Sequence, residues 1–149
     1  MRPLYQEMFH QLTLTTRPFE TQLNEQLMEY HIHRTEWAIL YYLMLDEHIR
    51  LVEIGRLLGM DKPNVTRTIK RLVELDYIEL SPSQSDGRKK NIKVTEKGYT
   101  LFHTLRASIN VFELELLEGV SEEEQRSMYS TLKTIQQNLI KRAGEQLSE

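Results

Sequence analysis

Between Asp61 and Leu75 the chain gathers side chains that donate hydrogen bonds or carry positive charge: Lys62, Asn64, Thr66, Arg67, Lys70 and Arg71, with Pro63 among them. Arginine and lysine pair with phosphate oxygens and guanine edges, asparagine can meet adenine with two bonds, and threonine meets either a base edge or a phosphate. Residues 62–71 carry a net charge of +4 and no acid. A second group follows at Asp86, Arg88, Lys89 and Lys90, around Gly87. The chemistry these types suit is recognition of a polyanion, not bond making.

The rest of the composition narrows the field. The chain has 149 residues, 19 Lys+Arg against 22 Asp+Glu, and a formal net charge of −3. That total alone argues against nucleic acid, but it is unevenly spread. Residues 62–97 hold nine bases and five acids, +4 net, which leaves −7 on the other 113. A basic block in an acidic chain is a localised electrostatic footprint; a solvated helix face followed by a charged loop would give the same count. The acidic remainder would repel DNA and help orient the molecule. Zero cysteines exclude disulfides, thiolate zinc sites, a Cys nucleophile and thiol-based switching. No phosphate loop, nucleophile elbow or metalloprotease helix occurs, so neither an enzyme nor a cofactor is expected. The longest apolar run, Trp37–Leu45, is nine residues, against about 20 for a membrane span. The N-terminus lacks an apolar signal-peptide core. A soluble, cytoplasmic protein without a membrane partner is expected.

The elements that must position the basic residues read mostly as helix. Leu4, Met8 and Leu12, then Phe19, Leu23 and Leu27, recur at four-residue spacing, with Pro18 between the groups to kink or break that helix. Thr35 is the expected cap of a second helix, Glu36 to about Asp46, apolar nearly all round and so central to the domain. A short helix over about Val52–Leu58 ends at Gly59 in the left-handed conformation. Asp61 caps the next, with Pro63 in its first turn, running to about Leu75. Val65, Ile69, Leu72 and Val73 form its apolar stripe, which leaves Asn64, Thr66, Arg67, Lys70 and Arg71 off it. Tyr77–Leu80 and Asn91–Val94 read as paired strands, with Asp86-Gly87 as the turn and Pro82 loosening the pairing toward the tip.

Two long helices close the chain. Thr95 caps the first, which ends near Gly119, and Phe102, Leu105, Ile109, Phe112 and Leu116 form a coiled-coil-type seam along it. Ser121-Glu122-Glu123-Glu124 is a capping box for the second, whose seam is Met128, Leu132, Ile135 and Leu139. Ordinary intrachain packing would explain either seam. With the first helix they exceed what one small domain buries, which favours a helical dimer interface. The fold class is therefore mainly α with a small β wing: a winged helix-turn-helix over 35–97, flanked by dimerisation helices at 1–34 and 98–149. The N-terminal part of the basic helix would read the major groove through Lys62, Asn64, Thr66 and Arg67, Lys70 and Arg71 would meet phosphates, and Arg88 would enter the minor groove.

These residues resemble the MarR family of bacterial transcriptional regulators. The match is carried by Asp86-Gly87-Arg88 followed by Val94-Thr95-Glu96-Lys97-Gly98, the family's wing signature at its full spacing. Leu51–Met60 with Asn64-Val65-Thr66-Arg67 and Leu72-Val73 looks like its helix-turn-helix, and Thr35-Glu36-Trp37 with Leu40 like the opening of its second helix. The resemblance implies a triangular homodimer on a palindromic operator, with a repressor's role and, in many members, release by a small-molecule effector. It implies Arg88 as the wing arginine, with Asp86 orienting it or pairing with a nearby base. Two residues depart from the pattern: Asp76 stands where Gly is common, and Leu80 where Arg is common. Asp tolerates the left-handed conformation at some cost.

Other readings stay open. Phe9, His33, Trp37 and Tyr41 line an effector pocket or form plain core. His31 and His33 with Glu29 suggest a metal-responsive regulator of the same fold, although no second cluster supports zinc. A winged-helix module that binds protein through the acidic remainder is the third alternative.

Overall fold

The computed structural model describes residues 1–82 and 90–147. Six helices and one hairpin follow in order: α1 (Leu4–Met28), α2 (Arg34–Leu45), α3 (Leu51–Leu58), α4 (Lys62–Glu74), β1 (Ile78–Pro82), β2 (Lys90–Val94), α5 (Glu96–Leu116) and α6 (Glu122–Leu147). The chain divides into two compact units, Met1–Asn110 and Val111–Glu149, with the boundary inside α5.

In the first unit α2 is central, as its all-round apolar content requires. Trp37, Ile39, Leu40 and Leu43 are buried with Leu27 and Ile32, Ile54 of α3, Val65, Ile69 and Leu72 of α4, and Ile78 of β1. Phe102, Leu105 and Ile109 complete this core, and the Phe102 ring stacks on Trp37 at 5.2 Å. The first three positions of the α5 seam therefore serve the chain's own core and not a second copy. A 3-4 spacing has the same appearance whichever helix it faces. Only the end of α1 joins the core, through Leu27 and the partly buried Leu23. Its junction is fixed by polar contacts: Arg34 pairs with Glu20 at 2.9 Å, and the Ser108 hydroxyl donates to Gln26 at 3.2 Å.

Three sequence expectations need correction. Pro18 does not break α1, which runs through it. Proline removes one donor and crowds one carbonyl, and the 25-residue helix outlasts that local loss. The cap of α2 is His33, not Thr35: the His33 amide donates to Glu36 Oε2 at 2.8 Å, so Glu36 sits at the third helical position and closes the turn from there. Val73 is 37% exposed, off the buried face made by Val65, Ile69 and Leu72.

Several other local signals hold, while the Asp86-Gly87 turn and the pairing beyond Pro82 lie outside the described residues. Gly59 ends α3 at φ +64°. The Asp61 side chain accepts the Asn64 amide and caps α4, with Pro63 inside the first turn. The hairpin is antiparallel, Ile78 opposite Val94 through to Pro82 opposite Lys90, where its described ladder ends. Asp76 takes the left-handed conformation at φ +62°.

The second unit is the end of α5, a turn with Gly119 at φ +80°, and α6. Ser121 and Glu124 form the reciprocal box that starts α6: the Ser121 amide donates to Glu124 Oε2 at 2.7 Å, and the Glu124 amide donates to Ser121 Oγ at 3.1 Å. Among the described residues no helix is long and apolar enough to cross a membrane.

Candidate nucleic-acid interface

The turn between α3 and α4 is short, so the two helices pack closely, and the three apolar anchors of α4 fix which of its faces stays outside. Lys62, Pro63, Asn64, Thr66, Arg67, Lys70 and Arg71 all lie on exposed positions, as the stripe of Val65, Ile69 and Leu72 dictates. The structure thus brings together on one helix every α4 residue expected to contact DNA. Asp86, Arg88 and Lys89 lie outside the described residues, and of Lys90 the backbone is placed, at the end of β2.

The start of α4 carries a linked set of polar groups. Asp61 accepts the Asn64 backbone amide at 2.8 Å through Oδ1 and the Asn64 side-chain amide at 3.0 Å through Oδ2. The Asn64 side-chain oxygen Oδ1 in turn accepts from the Arg67 guanidinium. The cap that starts the helix therefore also orients two of the groups best suited to base edges. Thr66 and Lys70 stand clear on the same exposed surface.

Two bases in the +4 segment are tied into the fold. Arg71 Nε lies 3.4 Å from Glu36 Oε1, and the Glu36 side chain is only 4% exposed, against 49% for Arg71. Lys97 Nζ donates to the carbonyl of Leu75 at 2.9 Å, at the C-terminal end of α4, and lies over the Tyr77 ring at 5.1 Å. A cation at a helix C-terminus opposes the helix dipole favourably. Sequence reasoning missed Glu36. The signal for it is an acid three residues after a helix start, which a cap placed at Thr35 instead of His33 hides.

The second half of the wing signature is a clamp. The Thr95 amide donates to the Tyr77 carbonyl at 3.0 Å, and the Thr95 hydroxyl donates to the Asp76 carbonyl at 2.6 Å while accepting the Gly98 amide at 3.0 Å. A Cβ on Gly98 would sit 2.2 Å from the Tyr77 carbonyl oxygen. Only glycine lets α5 approach the root of the hairpin this closely.

The four residues considered for an effector pocket separate into two kinds. Trp37 is buried and Tyr41 half-buried, both against Phe102, at ring distances of 5.2 and 6.4 Å. Phe9 is 47% exposed on α1, and His33 is exposed at the cap of α2. An open cleft of about 850 Å³ lies elsewhere, lined by residues that include Tyr30, Tyr77, Glu79, Thr95, Lys97 and Leu101. Among the described residues no three His, Asp or Glu side chains are grouped so as to hold a metal ion.

Comparison with known proteins agrees with this geometry. Residues 32–89 match the profile of the MarR family. The chain is 26% identical to a MarR/EmrR family transcriptional regulator from Acinetobacter sp. ADP1, covering 94% of this chain and 99% of that one, with a TM-score of 0.80. It superposes on Staphylococcus aureus MarR in complex with salicylate and kanamycin at a TM-score of 0.81, 24% identity and 93% of both chains. It is also similar to a mutant E. coli MarR complexed with operator DNA, at a TM-score of 0.75, 22% identity, 90% of this chain and 99% of that one.

Proposed function

This chain belongs to the MarR family of DNA-binding transcriptional regulators, and on that premise we propose that it binds a palindromic operator as a homodimer, represses transcription there, and is released by a small molecule. The observation that carries the DNA reading is the outer face of α4: seven exposed positions from Lys62 to Arg71 in a stretch without an acid. In this reading Lys62, Pro63, Asn64, Thr66 and Arg67 face the major groove and Lys70 a phosphate. Asp86, Arg88, Lys89 and Lys90 form the wing's contact, with Arg88 in the minor groove.

The dimer is supported by apolar side chains that the chain leaves uncovered. On α1 these include Leu4, Met8 and Leu12, and on α6 Met128, Leu132 and Leu139. A second copy would cover them, and a two-fold dimer requires a two-fold site. Release by an effector is supported by the relative bound to salicylate and kanamycin.

Selection of bound duplexes from a random pool tests the reading. A palindrome should emerge, bound by a dimer in sedimentation, with the logarithm of affinity falling linearly with log salt. Arg88→Ala should weaken binding most where the flanks are A·T-rich. A reporter carrying the selected site should be silenced by the protein, and a compound screen should find one that restores it. No retained DNA at low salt would sink the reading.

A further inference from the structure

Glu36 is the one charged side chain among the buried residues described, 3% exposed at the first turn of α2. Both of its oxygens are engaged. Oε2 accepts the His33 amide at 2.8 Å, and Oε1 faces Arg71 Nε at 3.4 Å. An isolated buried carboxylate is costly, and a cation beside it offsets much of that cost. The cation comes from α4, off the face that Val65, Ile69 and Leu72 hold against the core. The last turns of α4 are thus tied to the start of α2 by a fixed polar contact, in addition to apolar packing.

We propose that Glu36 is a positioning residue for DNA recognition: it holds Arg71 and through it sets the angle at which α4 presents Asn64, Thr66 and Arg67. This rests on the DNA-binding reading. It also gives Arg71 a role different from that of Lys70. The carboxylate beside it neutralises the guanidinium, so the Glu36–Arg71 pair as a unit releases no counterion on meeting a phosphate. Lys70 bears no such partner among the described residues and remains a phosphate-facing charge. A helix without the tether keeps its other charges and its nonspecific attraction, but it loses the fixed geometry that separates operator from random sequence.

Salt titrations of operator and random-duplex binding decide between the roles, with the full chain and the variants Glu36→Gln, Arg71→Gln, Glu36→Gln/Arg71→Gln and Lys70→Gln. Positioning requires each single tether variant to cut the operator-to-random ratio by about tenfold, and the double variant to be no worse than either. The log–log salt slope should hold in Arg71→Gln and should not become shallower in Glu36→Gln. Lys70→Gln should instead make the slope shallower by about 0.9 per phosphate lost, weakening operator and random DNA alike. A shallower slope in Arg71→Gln, with the ratio preserved in Glu36→Gln, would overturn the proposal and make Arg71 a phosphate contact. Should Glu36→Gln fail to fold, the slope and ratio of Arg71→Gln, whose change is at a half-exposed side chain, decide alone. A parent chain without salt-dependent binding would overturn the DNA reading itself, and this proposal with it.

Discussion

The Thr95 hydroxyl donates to the carbonyl of Asp76 across 2.6 Å, and so joins the turn after α4 to the first turn of α5 with the whole hairpin between them. The same oxygen caps α5 by accepting the Gly98 amide. One small side chain therefore closes the base of the wing. Thr95→Val keeps the shape and removes both bonds. It should cost about 1–2 kcal/mol in denaturant unfolding, and Thr95→Ser should recover most of it. Equal stability of Thr95→Val and the parent would show that the clamp contributes nothing.

Asp76 itself sits at φ +62°, a conformation that an L side chain occupies at a cost. Asp76→Gly should therefore stabilise the chain by about 0.5 kcal/mol, read as a higher midpoint at unchanged m-value. A drop in midpoint would mean that the Asp76 side chain contributes more than its backbone strain removes.

The neighbouring glycine behaves in the opposite way. At Gly98 an added methyl would lie 2.2 Å from the Tyr77 carbonyl oxygen, with the Val94 side chain 2.9 Å away. Backbone cannot swing aside as a flexible side chain can, so α5 must shift away from the hairpin root. Gly98→Ala should cost about 3 kcal/mol, visible as a lower thermal midpoint and faster amide exchange at Thr95. A variant as stable as the parent would contradict the close approach.

What could be read in the sequence follows the range of each interaction. Asp61 and Ser121 act on residues three positions away, and Gly59 on its own backbone. Patterns of that length are visible in one dimension, as was the α4 stripe and the resulting outer face. The Glu36–Arg71 contact joins residues far apart along the chain. Nothing in either residue's neighbourhood announces it. Phe102, Leu105 and Ile109 show a different limit. Their spacing revealed a buried helix face but not its partner, which is Trp37 and the rest of the chain's own core. The local cost of Pro18 is legible in the sequence, but not that α1 continues through it from Leu4 to Met28.

At the start of α6 the two bonds from Ser121 hold the Glu124 carboxyl below the usual carboxylate range, the backbone amide contributing most. A folded-state pKa depressed below the unfolded one adds stability above the unfolded value. That stability is lost as pH falls through the folded one. Ser121→Ala should raise the Glu124 pKa, followed by carboxyl NMR titration, and flatten the acid limb of the stability curve slightly. An unchanged titration would mean that the Ser121 hydroxyl contributes nothing to the shift and that the backbone amide alone holds the carboxyl down.

The chain Asp61–Asn64–Arg67 makes the last prediction. Asn64 holds Asp61 with its amide and Arg67 with its oxygen, so on the proposed DNA-binding reading it would prepare Arg67 for a base edge without itself adding charge. Arg67→Ala should cost about 1–3 kcal/mol on the selected operator and relax the preference at one base position. Asn64→Ala should relax that same position, because the arginine loses its support, and should leave the salt slope as it was, since no phosphate charge is removed. Two different positions relaxed by the two variants would mean that each residue reads its own base. A slope shallower by about 0.9 in Arg67→Ala, with preference retained, would move Arg67 to the phosphates.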